Sequence, residues 1–221
     1  MVKAVIFDWD GTLADTRATI VASFHQALKE INIRISDKYI EQRMGIGAAE
    51  TFREILRETK HPVDEELVKR LVECKSQSQI SLKNQVQLFQ GAIDILEMLQ
   101  DKVKVGLASM NSKSVIDTLI NAKGVETYFQ AVVTADAVKQ FKPHPEIFLK
   151  CAQQLDTSPL ECIVIEDSLF GVKAAKAAGM SCIAVTTGDY SKEDIEKEKP
   201  EAIVSSLEQA KVLLQNKHFY K

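Results

Sequence analysis

Short apolar runs alternate with helix-length amphipathic stretches through the second half of the chain. The runs are Lys104-Val105-Gly106-Leu107-Ala108, Ala131-Val132-Val133-Thr134, Cys162-Ile163-Val164-Ile165, Cys182-Ile183-Ala184-Val185 and Ala202-Ile203-Val204. Helical patterns fill the gaps near 112–122, 145–155 and 170–178, and another follows at 206–216. Gly124 and Gly179 stand where helix C-termini favour a left-handed residue. A strand that is apolar on both faces must be covered on both faces, and strands separated by helices return in parallel. The pattern therefore predicts a parallel sheet with helices on each side. Residues 3–7 have the same character and belong to that sheet.

Residues 15 to about 84 break the alternation and show no convincing strand. Asp15 or Thr16 can cap a helix whose apolar positions are Ile20, Phe24, Leu28 and Ile31. Further helical patterns cover about 37–43, 49–59 and 64–79, with Gly45-Ile46-Gly47 as punctuation. The expected fold class is α/β, a doubly wound Rossmann-like parallel sheet core with an inserted all-helical domain. The core takes residues 1–14 and 85–221, and the insertion takes 15–84. In such sheets ligands bind beyond the C-terminal strand ends. An insertion leaving the end of the first strand sits over that crevice and is a candidate lid.

Composition narrows the function classes. Of 221 residues, 45% are apolar and 27% charged, with a net charge of −3 and no basic cluster. Nothing there points to nucleic acid or an anionic membrane. No apolar run approaches the roughly 20 residues of a membrane span. The first residues carry no secretory pattern, so a cytoplasmic location is expected. The four cysteines, Cys74, Cys151, Cys162 and Cys182, are scattered and form no CxxC pair. They read as reduced, mostly buried thiols rather than metal ligands. A monomer or weak homodimer is expected.

Chemistry-bearing residues collect at one predicted sheet edge. Asp8 and Asp10, in "VKAVIFDWDGTLADT", end the first strand. Ser109 ends the next run, with Asn111 close behind, and Glu166, Asp167 and Ser168 end the run at 162–165. Lys142 opens "KPHPEIF", where Pro143 and Pro145 mark a helix start. Several carboxylates at one edge are stable only with a cation among them. All-oxygen ligation suits Mg²⁺, which keeps waters and shares a phosphate with its protein carboxylates. A carboxylate can also attack phosphorus, and phosphoryl transfer needs little beyond positioning and charge neutralisation. Gly11 permits a tight exit from the strand. The Thr12 backbone and the Ser109 hydroxyl can donate to phosphate oxygens, and Lys142 supplies a fixed positive charge.

Taken singly, these features have plainer readings. Paired aspartates before a glycine often make a turn, and Glu166-Asp167 can favour a helix start. Asn111 is equally a helix cap or a substrate contact. Trp9, His144, His61 and His218 read as structural.

Together "DWDGT", the serine-ended strand, "KPHPEIF" and "VIEDSLFGVKAAKAAGM" resemble, in order, the four motifs of the haloacid dehalogenase-like hydrolase superfamily. The helical insertion resembles the cap of its phosphoglycolate phosphatase and β-phosphoglucomutase-like branch. The resemblance implies that Asp8 is the nucleophile that becomes aspartyl-phosphate and Asp10 the general acid/base. It implies phosphate binding by Ser109 and Lys142. It also implies a Mg²⁺ site formed by Asp8, the Asp10 carbonyl and Asp167, with Glu166 as a further candidate ligand. "RMGIGAAETF", residues 43–52, resembles the Gly-x-Gly cap segment of phosphoglycolate phosphatases, where Arg43 could meet a substrate carboxylate. A plain helix–helix turn is the alternative there.

The expected function is a Mg²⁺-dependent phosphatase acting on a small phosphorylated metabolite, with phosphoglycolate as one model. The alternatives are a β-phosphoglucomutase-like phosphosugar mutase and a non-catalytic phosphate- or partner-binding protein. Enzymes resembling the mutase restrain water with a cap histidine ten residues after the second aspartate. Ile20 occupies that position here, and His25 lies roughly 140° away around the same helix. Carbon–halogen hydrolysis is disfavoured, because dehalogenases of the superfamily lack the second aspartate.

Overall fold

A computed structural model of the chain describes residues 1–215. The chain opens with β1 (Ala4–Phe7) and a two-residue strand β2 (Ala14–Asp15). Four helices follow: α1 (Arg17–Lys29), α2 (Asp37–Glu41), α3 (Ala48–Glu58) and α4 (Glu65–Ser81). A second two-residue strand, β3 (Gln87–Leu88), pairs antiparallel with β2. The alternating half then runs α5 (Ala92–Leu99), β4 (Lys104–Ala108), α6 (Lys113–Ala122), β5 (Ala131–Val133) and α7 (Glu146–Gln154). It continues through β6 (Cys162–Glu166), α8 (Leu169–Ala177), β7 (Ser181–Val185), α9 (Lys192–Lys197), β8 (Ala202–Val204) and α10 (Leu207–Gln215).

Six strands form one parallel sheet in the order β5-β4-β1-β6-β7-β8. Side chains alternate between its faces. Val5, Phe7, Leu107 and Ile165 pack on one face against α5, α6 and α10. Ala4, Ile6, Val164 and Ala184 pack on the other against α7, α8 and α9. Both faces are therefore buried, as the apolar runs require. Register fixes where the strands end. Phe7 is level with Leu107 on one side and Ile165 on the other. Asp8, Ala108 and Glu166 consequently leave the sheet at one height, in its middle.

Helices α1, α3 and α4 close around a separate apolar core that includes Phe24, Leu28, Phe52, Ile55 and Leu71. The Phe24 and Phe52 rings lie 4.8 Å apart, tilted. Each such side chain contributes about 1.5–3 kcal/mol on burial. These helices thus have a hydrophobic driving force independent of the sheet. They sit over the strand C-termini, held by Ser76 Oγ against Ser112 Oγ at 3.1 Å and by a bond from the Tyr190 hydroxyl to the Gln42 carbonyl at 2.8 Å.

Elements that the sequence did not announce are short or lack a start signal. Helix α5 begins at Gly91 with no capping side chain. Helix α9 has six residues, too few to show a period. The β2–β3 ladder has two residues on each side. Thr16 does stand at the N-cap of α1 but makes no capping bond there. Residue 216, the end of the expected last helix, and His218 lie outside the described residues. No described helix is long and apolar enough to cross a membrane. The four cysteines are unpaired, and all but Cys74 are buried.

Candidate active site

Asp8 is the first residue beyond β1, and its N–H still donates to the Ile165 carbonyl at 3.0 Å. That bond extends the ladder by one residue and fixes the direction of the side chain. Asp8 Oδ1 accepts a bond from Lys142 Nζ at 2.6 Å, and the same ammonium donates to Glu166 Oε1 at 2.8 Å. The Lys142 side chain is 0% exposed. The segment before α7 thus inserts one cation between the ends of β1 and β6.

Glu166 does not take the place expected of a metal ligand. Oε1 holds Lys142, and Oε2 accepts the N–H groups of Asp167 and Ser168 at 2.8 and 2.7 Å together with the Ser168 hydroxyl at 3.0 Å. Both oxygens are engaged, so this carboxylate anchors Lys142 and the turn into α8. Ser168 caps α8 by accepting the Gly171 N–H.

Asp10 collects donors from three directions. Thr16 Oγ1 donates to Oδ1 at 2.8 Å, while Asn111 Nδ2 and Ser109 Oγ donate to Oδ2 at 2.7 and 3.3 Å. Asn111 Oδ1 in turn accepts a bond from Lys75 Nζ at 2.7 Å, and Lys75 also donates to Gln79 Oε1 at 2.5 Å. A chain of polar contacts thus runs from the insertion, through Lys75 and Asn111, to Asp10. Asn111 is neither a cap, which is Ser112 at α6, nor isolated from the carboxylates.

Asp167 is held by shape as well as by bonds. Thr12 Oγ1 donates to its Oδ1 at 2.8 Å. A Cβ at Gly11 would stand 2.3 Å from Asp167 Oδ2, and one at Gly188 would stand 1.8 Å away. Gly11 also has φ +81°, where side chains are strained. Only glycines on both sides leave room for this carboxylate. The Thr12 backbone was expected as a phosphate donor. Its N–H makes a long 3.4 Å contact with the Trp9 carbonyl.

The site carries more buried negative charge than its lysines balance. Burial pushes the Asp8 carboxyl up to about 8, with Glu166 and Asp10 adding to the rise and Lys142 opposing it. Burial raises Asp10 as well, against Lys75 and its hydrogen bonds. Asp167 is raised well above the carboxylate range by burial and by the charges of Glu166 and Asp8. Burial pulls Lys142 down, but Asp8 and Glu166 more than offset that and hold it above its ordinary value. Lys75 is drawn down to about 8 by burial, with Asp10 opposing.

This donor set fits a hard divalent cation. Its oxygens are carboxylates, they crowd one another, and added positive charge would lower all three raised carboxyls. Among the described residues no three His, Cys, Asp or Glu side chains converge as a complete metal cage. Mg²⁺ needs no such cage, since one or two carboxylates with waters and a substrate phosphate suffice. Asp8 and Asp167 are the carboxylates that remain for it once Glu166 is committed.

A cleft opens from Asp8 and Asp10 towards the helical insertion. Ile20 lines it. His25 points elsewhere, with Nε2 2.7 Å from Asp37 Oδ1 in an exposed pair. Arg43 borders the cleft but is not free to meet a substrate carboxylate. Its Nε donates to Glu54 at 2.6 Å, Nη2 to Glu58 at 3.3 Å and Nη1 to the Tyr39 carbonyl at 3.2 Å, and the guanidinium stacks 3.5 Å over the Tyr39 ring. Trp9 is fully buried and packs in the sheet core.

Sequence reasoning missed Lys75, Thr16 and Gly188. Lys75 sits in a helix with many charged positions, where a lysine signals solvent. Thr16 reads as a helix cap, and that hides its bond to Asp10. Gly188 is an ordinary loop glycine until Asp167 is placed against it.

Comparison with known proteins adds relatives to this geometry. A family model described as haloacid dehalogenase-like hydrolase matches residues 5–185. A probable phosphatase of Dickeya dadantii is 30% identical over 93% of this chain and 90% of its own length. A fructose-1-phosphate phosphatase of Escherichia coli is 29% identical over 82% of this chain and 95% of its own length. The crystal structure of a β-phosphoglucomutase from Clostridium difficile aligns with a TM-score of 0.88 at 30% identity, covering 100% of this chain and 98% of that one.

Proposed function

The chain belongs to the haloacid dehalogenase-like hydrolases, and we propose that it hydrolyses small phosphomonoesters through a phosphorylated Asp8, with Mg²⁺ as its metal. Its activity is that of a phosphoric monoester hydrolase, in keeping with its phosphatase relatives. One observation carries the assignment of roles: Asp8 and Asp10 lie side by side but are held by different partners. Asp8 is oriented by a lysine, as a nucleophile needs. Asp10 is oriented by hydroxyl and amide donors, as a group that gains and loses a proton needs.

In this reading Asp8 Oδ2, the oxygen that Lys142 does not hold, attacks phosphorus. The ester oxygen leaves and takes the proton of Asp10, whose raised carboxyl favours the protonated form. Asp10 then removes a proton from water, which attacks phospho-Asp8 and releases phosphate. Lys142 and the Ser109 hydroxyl stabilise the phosphoryl oxygens. Mg²⁺, held by the Asp8 and Asp167 carboxylates and the Asp10 carbonyl, would neutralise phosphate charge. Residues 15–84 act as a cap over the core formed by 1–14 and 85–221, and they shield the phospho-enzyme. Turnover of p-nitrophenyl phosphate with and without Mg²⁺ tests the whole scheme. Activity with Mg²⁺ is expected, with loss in EDTA and inhibition by Ca²⁺, which favours longer bonds and more ligands. Full activity in excess chelator would contradict it.

Asp10 is tested by leaving groups. Asp10→Ala is expected to slow an alkyl phosphate at least about tenfold more than p-nitrophenyl phosphate, because the aryl oxide needs little protonation. Equal losses on both substrates would make Asp10 a support for its neighbours only.

The mutase alternative loses its brake in this cleft. Ile20 lines the space near Asp10, cannot hydrogen-bond, and His25 is turned to Asp37. Net phosphate release is expected from small monoesters. A coupled dehydrogenase assay should show no appreciable conversion of β-glucose 1-phosphate to glucose 6-phosphate, even with the bisphosphate. Rapid isomerisation would make the mutase the better reading.

A further inference from the structure

We propose that the loop after β7, residues 186–190, is a strap that couples docking of the helical insertion to the placement of Asp167, with Asp189 and Tyr190 as positioning residues. The inference goes beyond the phosphatase reading and rests on its assignment of Asp167 to the metal.

Consecutive residues of this loop face two ways. At its start the Thr186 N–H donates to the Val204 carbonyl at 2.9 Å, which fixes the loop to β8. Thr187 Oγ1 donates to the Gly11 carbonyl at 2.5 Å. Gly188 lies so close to Asp167 that a Cβ there would stand 1.8 Å from Oδ2 and 2.7 Å from Cγ. The next two residues turn to the insertion. Asp189 Oδ1 pairs with Arg17 Nη2 at 2.5 Å, at the start of α1. The Tyr190 hydroxyl donates to the Gln42 carbonyl at 2.8 Å, just beyond α2. The Tyr190 ring packs T-shaped with Phe170 of α8, their centroids 6.3 Å apart.

These contacts depend on one another. Neighbouring Cα atoms are about 3.8 Å apart, so Gly188 cannot keep its place while Asp189 and Tyr190 move far. The insertion must also lift. Asp8 and Asp167 are each only 5% exposed, so a docked insertion leaves substrate and cation little access to them. Neither tie is strong alone. Arg17 is half exposed, and such ion pairs are weak. Weak ties suit a closure that has to open in each cycle. When the insertion lifts, the loop loses Arg17 and the Gln42 carbonyl, and Gly188 no longer confines Asp167 Oδ2. Thr12 Oγ1 then holds only the other oxygen. Conversely, Asp167 fixed by a cation keeps Gly188 seated and favours docking. The linkage runs equally in both directions.

The test measures Mg²⁺ binding by calorimetry, without substrate. Asp189→Asn removes one charge and Tyr190→Phe one hydroxyl, and neither residue touches the metal-binding carboxylates. The double variant is expected to bind Mg²⁺ at least about fivefold more weakly than the wild type, the lower end of couplings between sites. The single variants should fall between. Arg17→Met, a change in the insertion itself, should match Asp189→Asn. Hydrogen exchange reads the opposite direction. Mg²⁺ should slow exchange at residues 42–47 by about fivefold in the wild type and by much less in the double variant. Gly188→Ala, which displaces Asp167 from the core side, should speed exchange at the same residues. A loop that only packs would lower the melting temperature of its variants and move neither readout. Wild-type Mg²⁺ affinity in the folded double variant overturns the proposal, as does exchange at 42–47 that ignores Mg²⁺ in the wild type. If the double variant does not fold, the single variants decide by the same criterion. Mg²⁺-dependent turnover of p-nitrophenyl phosphate by the wild type reports the phosphatase reading separately, and that reading survives failure of the strap.

Discussion

Asp8→Asn is expected to cut phosphate release to below about a hundredth of the wild-type rate, while leaving the protein folded and no less stable. Asparagine keeps the shape, and its amide oxygen can still accept the Lys142 bond now made by Asp8 Oδ1. What disappears is the charge that attacks phosphorus. The stability expectation follows from the direction of the shift. The Asp8 carboxyl is raised from 3.8 to about 8 in the folded protein. Folding thus favours its neutral form, and the stabilisation present below the unfolded value is lost as pH rises towards the folded one. A permanently neutral side chain removes that loss, so the melting temperature near neutral pH should match or exceed the wild type. Residual activity above a hundredth would remove Asp8 as the nucleophile, whereas a large fall in melting temperature would show that its charge holds the site together.

Lys142→Met is expected to have the largest effect on stability. The ammonium is fully buried between two carboxylates, 2.6 Å from Asp8 and 2.8 Å from Glu166. Deleting one partner of a buried ion pair costs about 3–5 kcal/mol, since the remaining charge stays buried and unpaired. For a chain of this size that corresponds to a fall of roughly 6–20 °C in melting temperature. Phosphate release should fall as well. Adding Glu166→Gln to Lys142→Met removes the Glu166 charge that the single variant strands. The double variant should regain part of the melting temperature and none of the activity, because no cation returns to the phosphate. A single variant as stable as the wild type would mean that Lys142 is not the counter-charge its position indicates.

Residues placed by a strand end were legible in the sequence. Asp8, Ser109 and Glu166 follow apolar runs whose parallel pairing leaves little choice of edge, and sequence order supplied the rest. The helical insertion was legible as well, since Ile20, Phe24 and Leu28 repeat with a helical period and meet in one core. Residues whose role depends on docking between distant segments were not legible. Lys75 reaches the carboxylates only because α4 lies over the loop carrying Asn111. Thr16 offers its hydroxyl to Asp10, six residues back, and leaves its helix uncapped. Arg43 shows the reverse error. A cation beside a Gly-x-Gly turn suggests an anion site, but Glu54 and Glu58 on the following helix already claim it. Glu166 was expected beside the metal from its place in the resembling motif, but its oxygens are taken by Lys142 and by the Asp167 and Ser168 N–H groups.

The β2–β3 ladder gives the molecule a modular grammar. Ala14 pairs with Leu88 and Asp15 with Gln87, so the chain departs from the sheet and returns to it at adjacent points. Everything between is, topologically, one loop closed at its base. Lengthening such a loop costs little, since closure entropy grows only with the logarithm of its length. Asp8 and Asp10 precede the loop, and Ser109, Lys142 and Asp167 follow it. The sheet could therefore receive a different insertion at this neck without any strand changing its partner. Selectivity and bond-breaking would then be written in separate, exchangeable stretches of one chain.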